Sequence, residues 1–131
     1  MTLRAVIAGV TGIVGKNLAV HLISKGWEVH GVARKWQSGI PSVRPIAADL
    51  LELEALRASL PGVDPTHVLI TTWVRRATEA ENCAVNGALV RNLLAALDSS
   101  RSRHVALVTG LKHYLEPFVA NAKPKPDNES C

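Results

Sequence analysis

At 131 residues, with 47% hydrophobic and 20% charged side chains, the chain is one domain or part of one, able to bury a core and unlike a sequence that stays disordered. The formal charge is +4, but the fifteen Lys and Arg are scattered and aromatic residues make up only 4%, which argues against a base-stacking nucleic-acid surface and for a phosphate-bearing small molecule. Cys83 and Cys131 are too few for a disulfide framework and favour a reducing compartment; no run reaches membrane-spanning length and no signal-peptide pattern precedes the first strand, so a cytoplasmic protein without membrane or nucleic-acid partners is expected.

In chain order, "LRAVIAGV" (3–10) reads as strand one. It runs into "AGVTGIVGKNL", where Gly9, Gly12 and Gly15 recur every third residue between a strand and a helix. Such a turn is tight, lets the backbone approach a pyrophosphate closely, and aims helix N-terminal amides at it. An ordinary strand-to-helix turn would also accept glycine, but the amphipathic helix with Leu18, Ala19 and Leu22 on one face and a second strand soon afterwards point to dinucleotide binding. Strand two, "EVHGVAR" (28–34), ends on Arg34 and Lys35 with no acid nearby. An acid there would hold a free ribose 2′-hydroxyl; a planar guanidinium beside an ammonium suits a 2′-phosphate, which favours NADP(H) over NAD(H), the alternative being a solvated basic pair at a strand end.

Strand three is "VRPIAADL" (43–50), closed by Asp49, which either accepts from an adenine amino group or caps the following helix of Leu53, Leu56 and Leu60. Strand four is "THVLITTW" (66–73). A long helix follows, with Val85, Leu89, Leu93 and Leu97 as its apolar stripe, Glu79, Glu81 and Asn82 at its positive end, and Asn86 and Asn92 placed to bond neighbouring loops. Arg75 and Arg76 read as solvated, and Cys83 as a small buried helix residue. Strand five is "RHVALVTG" (103–110). Near-continuous apolar strands alternating with helices imply an α/β fold, a doubly wound parallel sheet of order 3-2-1-4-5, with strand five as an edge open to self-association. The dispersed histidines have no metal spacing, so no metal site is expected. Loss of apolar periodicity in "NAKPKPDNESC" implies a flexible tail within 119–131.

The glycine pattern resembles the extended short-chain dehydrogenase/reductase superfamily. "THVLITTWVRRATEAENCAVNGALVRNLL" and "LVTGLKHYLEPF" narrow the resemblance to the progesterone 5β-reductase and iridoid synthase family, NADPH-dependent reductases of activated carbon–carbon double bonds in enones or enals. The resemblance implies a pyrophosphate turn at Thr11, Gly12 and Ile13 with Val14 beside it, a 2′-phosphate clamp at Arg34 and Lys35, an adenine contact at Asp49 and Leu50, and further cofactor contacts at Thr71, Thr72, Val108 and Thr109. It also implies that Lys112, in the Gly-x-Lys-His-Tyr motif, is the catalytic lysine, and it implies domain limits of 1–118. The family's catalytic tyrosine lies well downstream, beyond the end of this chain, and Tyr114 is read as scaffold. Glu116 departs from the family's usual glycine. The sequence is therefore expected to be the cofactor half of a reductase, inactive as an isolated chain. A non-catalytic NADP-binding sensor or association module of the same superfamily is the alternative.

Overall fold

The computed structural model describes residues 2–35, 40–60, 62–97, 104–109, 115–116 and 123–124. Lys112, His113 and Tyr114 lie outside the described residues. The first strand, β1 (Arg4–Ala8), is buried from Ala5 to Ala8. It stops where expected strand one was to continue, because Gly9 takes a positive φ of 85° and turns the chain. Helix α1 (Ile13–Ser24) follows, then β2 (Glu28–Ala33), β3 (Val43–Ala47), α2 (Leu53–Ser59), β4 (His67–Ile70), α3 (Glu79–Ala96) and β5 (His104–Leu107). Two short strands, β6 (Leu115–Glu116) and β7 (Lys123–Pro124), pair antiparallel with each other.

The five longer strands form one sheet of order β3-β2-β1-β4-β5, all neighbours parallel, as the sequence pattern predicts. Alternation along β1 divides two cores. Ile7 joins Val10, Ala19, Val29, Ile40 and Val43 on the α1 side. Val6 and Ala8 face the other way, onto a larger cluster in which Leu56 and Leu60 meet Leu89, Leu93 and Leu97. These are the predicted stripes of the second and third helices except for Leu53 and Val85, which are half-buried outside this cluster; burying each aliphatic side chain stabilises the fold by about 1.5–3 kcal/mol relative to exposure. Pro45 sits in β3 at the sheet edge, where its missing N–H interrupts no ladder on the solvent side. The opposite edge, β5, leaves Val105 and Leu107 exposed.

At the amino ends of the strands, charged groups close on one another. Arg4 Nε lies 3.0 Å from Glu28 Oε1 and Arg4 Nη1 donates to the Val63 carbonyl at 2.6 Å. His30 Nε2 is 2.8 Å from the same Glu28 oxygen, and Arg44 reaches it at 3.5 Å. The His30 hydrogen bond, reinforced by Arg4, holds the Glu28 carboxyl below its ordinary range against the opposing pull of burial. Beside this group His67 stacks on His104 at 4.8 Å between ring centroids and meets Trp27 edge-on at 4.6 Å. Burial, and then the neighbouring His104, lowers the His67 pKa below the usual imidazole value.

Candidate functional site

All of the predicted cofactor residues fall at the carboxyl ends of the parallel strands, where a doubly wound sheet opens. The strand order sets their sequence along that edge. Asp49 follows β3, Arg34 and Lys35 follow β2, the glycine turn follows β1, Thr71 and Thr72 follow β4, and Val108 and Thr109 follow β5. Backbone hydrogen bonds extend the pairing just past the strands and register these loops: Gly9 N to Val32 O at 3.2 Å, Ala48 N to Ala33 O at 3.1 Å, Thr71 N to Ala8 O at 2.9 Å and Val108 N to Ile70 O at 2.9 Å.

The three glycines have different duties. Gly9 needs its positive φ, and a Cβ there would stand 2.8 Å from Thr72 N. A Cβ on Gly15 would collide with the Gly9 carbonyl oxygen, so Gly15 is the close-packing position between helix and strand. Gly12 is neither strained nor crowded. It is the N-cap of α1 at φ −78° and ψ 172°, and a Cβ would meet only Gly9 O, at 3.4 Å. Its hydrogen therefore faces open space at the start of the helix.

The two long helices begin in contrasting ways. Helix α3 carries a capping box: Thr78 Oγ1 accepts from Glu81 N at 3.2 Å while Glu81 Oε2 accepts from Thr78 N at 3.2 Å, with Glu79 and Glu81 in its first turn. Helix α1 has no side-chain cap and no acid in its first turn. Its leading N–H groups and the positive end of its dipole are left to an outside acceptor, which is the donor set an anionic phosphate requires. Thr11 is exposed at this turn, as are Ile13 (84%) and Val14 (49%) just inside the helix. Arg34 and Lys35 are exposed one loop away.

Other candidates are placed less simply. Thr71 is half-buried, and its hydroxyl donates to Ala8 O at 2.8 Å and Gly9 O at 3.2 Å, so it braces the glycine turn from behind. Asp49 does not cap α2: the N-cap is Glu52, and Asp49 Oδ1 accepts from Leu51 N at 2.9 Å within the preceding loop. Leu50 packs its side chain into the larger core and gives its carbonyl to Asn92 Nδ2 at 2.9 Å. Val108 and Thr109 are exposed at the end of β5. Arg75 and Arg76 are exposed, as read from the sequence.

A model of the NAD dependent epimerase/dehydratase family matches residues 5–114. The chain belongs to that family. The resemblance to progesterone 5β-reductases and iridoid synthases is borne out as well. A 3-oxo-Delta(4,5)-steroid 5-beta-reductase of Arabidopsis thaliana is 42% identical over 94% of this chain and 34% of its own length. An (S)-8-oxocitronellyl enol synthase of Camptotheca acuminata is 42% identical over 93% of this chain and, again, 34% of its own. The chain thus spans about a third of the length of these relatives. Among solved structures, UDP-glucose 4-epimerase of Thermus thermophilus, complexed with NAD, superposes with a TM-score of 0.75 at 20% identity, covering 95% of this chain and 45% of that one. At that identity it shows a shared fold.

Within this epimerase/dehydratase-family chain, sequence reasoning missed two features that carried signals. Thr78-x-x-Glu81 is the spacing of a capping box. Gly31, in the middle of β2, marks a close approach: a Cβ there would stand 2.5 Å from Val10 Cγ1. One reading is corrected. Cys83 lies on α3 as expected but is half-buried, not fully buried. No described helix is long and apolar enough to cross a membrane.

Proposed function

We propose that this chain is the cofactor-binding part of an NADPH-dependent reductase of activated carbon–carbon double bonds. The observation that carries the reading is the uncapped, acid-free start of α1 beneath an unobstructed Gly12, with Arg34 and Lys35 beside it and no acid closing β2. The Gly12–Val14 turn would take the pyrophosphate on backbone N–H groups, and Arg34 with Lys35 the ribose 2′-phosphate. Asp49, engaged on one oxygen by Leu51 N, would take the adenine amino group on the other. Once bound, NADPH supplies a hydride to the β-carbon of a small enone or enal, the class of chemistry suggested by the 5-beta-reductase and enol synthase names of the relatives. Within the proposal Lys112 is the catalytic lysine. It lies outside the described residues, and its support is the Gly-x-Lys-His-Tyr motif. Turnover belongs to the longer protein, with this chain alone binding cofactor without reducing enones. Edge pairing of β5 between copies is part of the same proposal, supported by the exposure of Val105, Leu107 and Val108.

Calorimetric titration with NADPH and NADH tests the cofactor assignment. The chain should bind NADPH more tightly, and Arg34→Asp should reverse the preference by replacing a phosphate donor with a hydroxyl acceptor. Equal affinities in the unaltered chain, or an Arg34→Asp variant that still prefers NADPH, would refute it.

A further inference from the structure

The segment from Thr71 to Arg76 forms no regular secondary structure, yet it lies against the glycine turn. What fixes it is the side-chain amides of α3. Asn86 Oδ1 accepts from Val74 N at 2.9 Å while Asn86 Nδ2 donates to Val74 O at 2.8 Å, so a single amide satisfies both backbone groups of one loop residue in the manner of a sheet partner. One helical turn earlier, Asn82 Oδ1 accepts from Arg76 N at 2.6 Å. Asn82 is 8% exposed. The two asparagines are tied to each other as well, Asn86 Nδ2 donating to Asn82 O at 2.9 Å.

The chain of contacts runs onward to the turn. Thr71, three residues before Val74, gives its hydroxyl to Ala8 O and Gly9 O. Thr72 N is the nearest atom that a Cβ on Gly9 would meet. Helix α3 is itself registered by its capping box at Thr78, so the position of the loop is referred to a rigid element and not left to the loop's own preferences.

We propose that Asn82 and Asn86 are positioning residues of the nucleotide site, holding Thr71 and Thr72 against the glycine turn so that its backbone amides keep the geometry a pyrophosphate needs. This rests on the cofactor assignment above. Neither asparagine is required to touch the nucleotide. Their effect passes through Val74, Arg76 and the two threonines.

The test compares NADPH affinity with amide hydrogen exchange in the 131-residue chain. Asn82→Leu removes the acceptor for Arg76 N and should weaken NADPH binding by about tenfold or more. The Arg76 and Val74 amides should exchange faster, while the Val6 and Val32 amides of the sheet keep their protection. Asn82→Asp keeps an acceptor near the positive end of α3 and should restore affinity to within about threefold of the unaltered chain. Should Asn82→Leu fail to fold, Asn86→Ala carries the same comparison at a half-buried site. Faster Arg76 exchange with unchanged affinity would overturn the positioning role, as would an Asn82→Asp variant that binds no better than Asn82→Leu. Loss of protection throughout the sheet alongside weaker binding would also overturn it, by assigning the asparagines to the fold as a whole. An unaltered chain that binds no NADPH would instead remove the cofactor assignment, and the positioning role with it.

Discussion

Replacing Gly12 by Val separates ligand binding from folding, because Gly12 alone of the three turn glycines has room and an ordinary backbone. At φ −78° and ψ 172° valine is sterically allowed, and its Cβ would meet nothing nearer than Gly9 O at 3.4 Å. Two opposing terms set the effect on stability. Glycine gives up more chain entropy on folding, so its loss is favourable by about 0.4–1 kcal/mol. Valine is a poorer N-cap than glycine, at a cost of about 1 kcal/mol. The net change should stay within about 1 kcal/mol. On the binding side, the isopropyl group would occupy the space in front of the first α1 amides. Losing two hydrogen bonds to a charged phosphate, at about 1.5–3 kcal/mol each, amounts to about 3–6 kcal/mol, or a factor of about 10²–10⁴ in Kd. Urea unfolding followed by calorimetric titration with NADPH measures both quantities on one preparation. A Gly12→Val variant that is folded and binds within about threefold of the unaltered chain would remove the pyrophosphate assignment. Gly15→Ala is the control: its Cβ would collide with the Gly9 carbonyl, and it should lose stability and binding together.

Gly31→Ala places a methyl group 2.5 Å from Val10 Cγ1 and should destabilise the chain by about 1–3 kcal/mol in denaturant unfolding. Adding Val10→Ala should recover part of that loss, and a strictly additive double mutant would refute the contact. Acid should weaken the fold in two steps. The lowered His67 pKa means that the unfolded chain takes up a proton first, so stability falls as pH drops below the ordinary value of 6.5. The Glu28 carboxylate, also lowered, contributes fully above its ordinary 4.5 and is lost as pH falls through its folded-state value. In unfolding curves across about pH 7 to 3, His67→Phe should flatten the upper step and Glu28→Gln the lower, and an unchanged pH profile in either variant would refute the corresponding assignment.

Most of the architecture was legible because apolar periodicity fixes which face of each element is buried. The stripe Leu89, Leu93 and Leu97 and the pair Leu56 and Leu60 became the two halves of the larger core, and right-handed crossovers left one sensible strand order. Strand ends were legible only approximately. Predicted strand four ran to Trp73, but regular pairing stops at Ile70 because the chain then turns to α3, whose asparagines replace the ladder. The site divides in the same way. Glycine spacing and the Arg34-Lys35 pair are local signals and could be read directly. The inward hydroxyl of Thr71 and the loop bond of Asp49 depend on where other segments arrive, and no local pattern reports that. For Asn86 and Asn92 the sequence allowed bonds to neighbouring loops, and the structure names Val74 and Leu50 as their partners.

The two ends of the sheet treat their polar groups in opposite ways, and this explains why binding and stability should be separable here. At the amino ends, Arg4, His30 and Arg44 converge on the Glu28 carboxylate, and His67 stacks on His104 and meets Trp27 edge-on, so side chains are held mainly by other side chains. At the carboxyl ends, the side chains of Thr71, Asn82, Asn86 and Asn92 bond backbone groups, most of them in loops, and fix loop positions, while the first turn of α1 has no side-chain cap. Polar groups exposed to water cost little to leave without a protein partner, whereas the same groups in a dry interior would cost about 1–3 kcal/mol each. An open helix start at the surface is therefore a cheap feature for the folded chain, and a valuable one only when an anion arrives. Changes at Gly12 and Arg34 should accordingly move affinity with little effect on unfolding, changes at Glu28 and His67 should move unfolding with little effect on affinity, and Asn82 and Asn86, which join α3 to the glycine turn, are where the two properties meet.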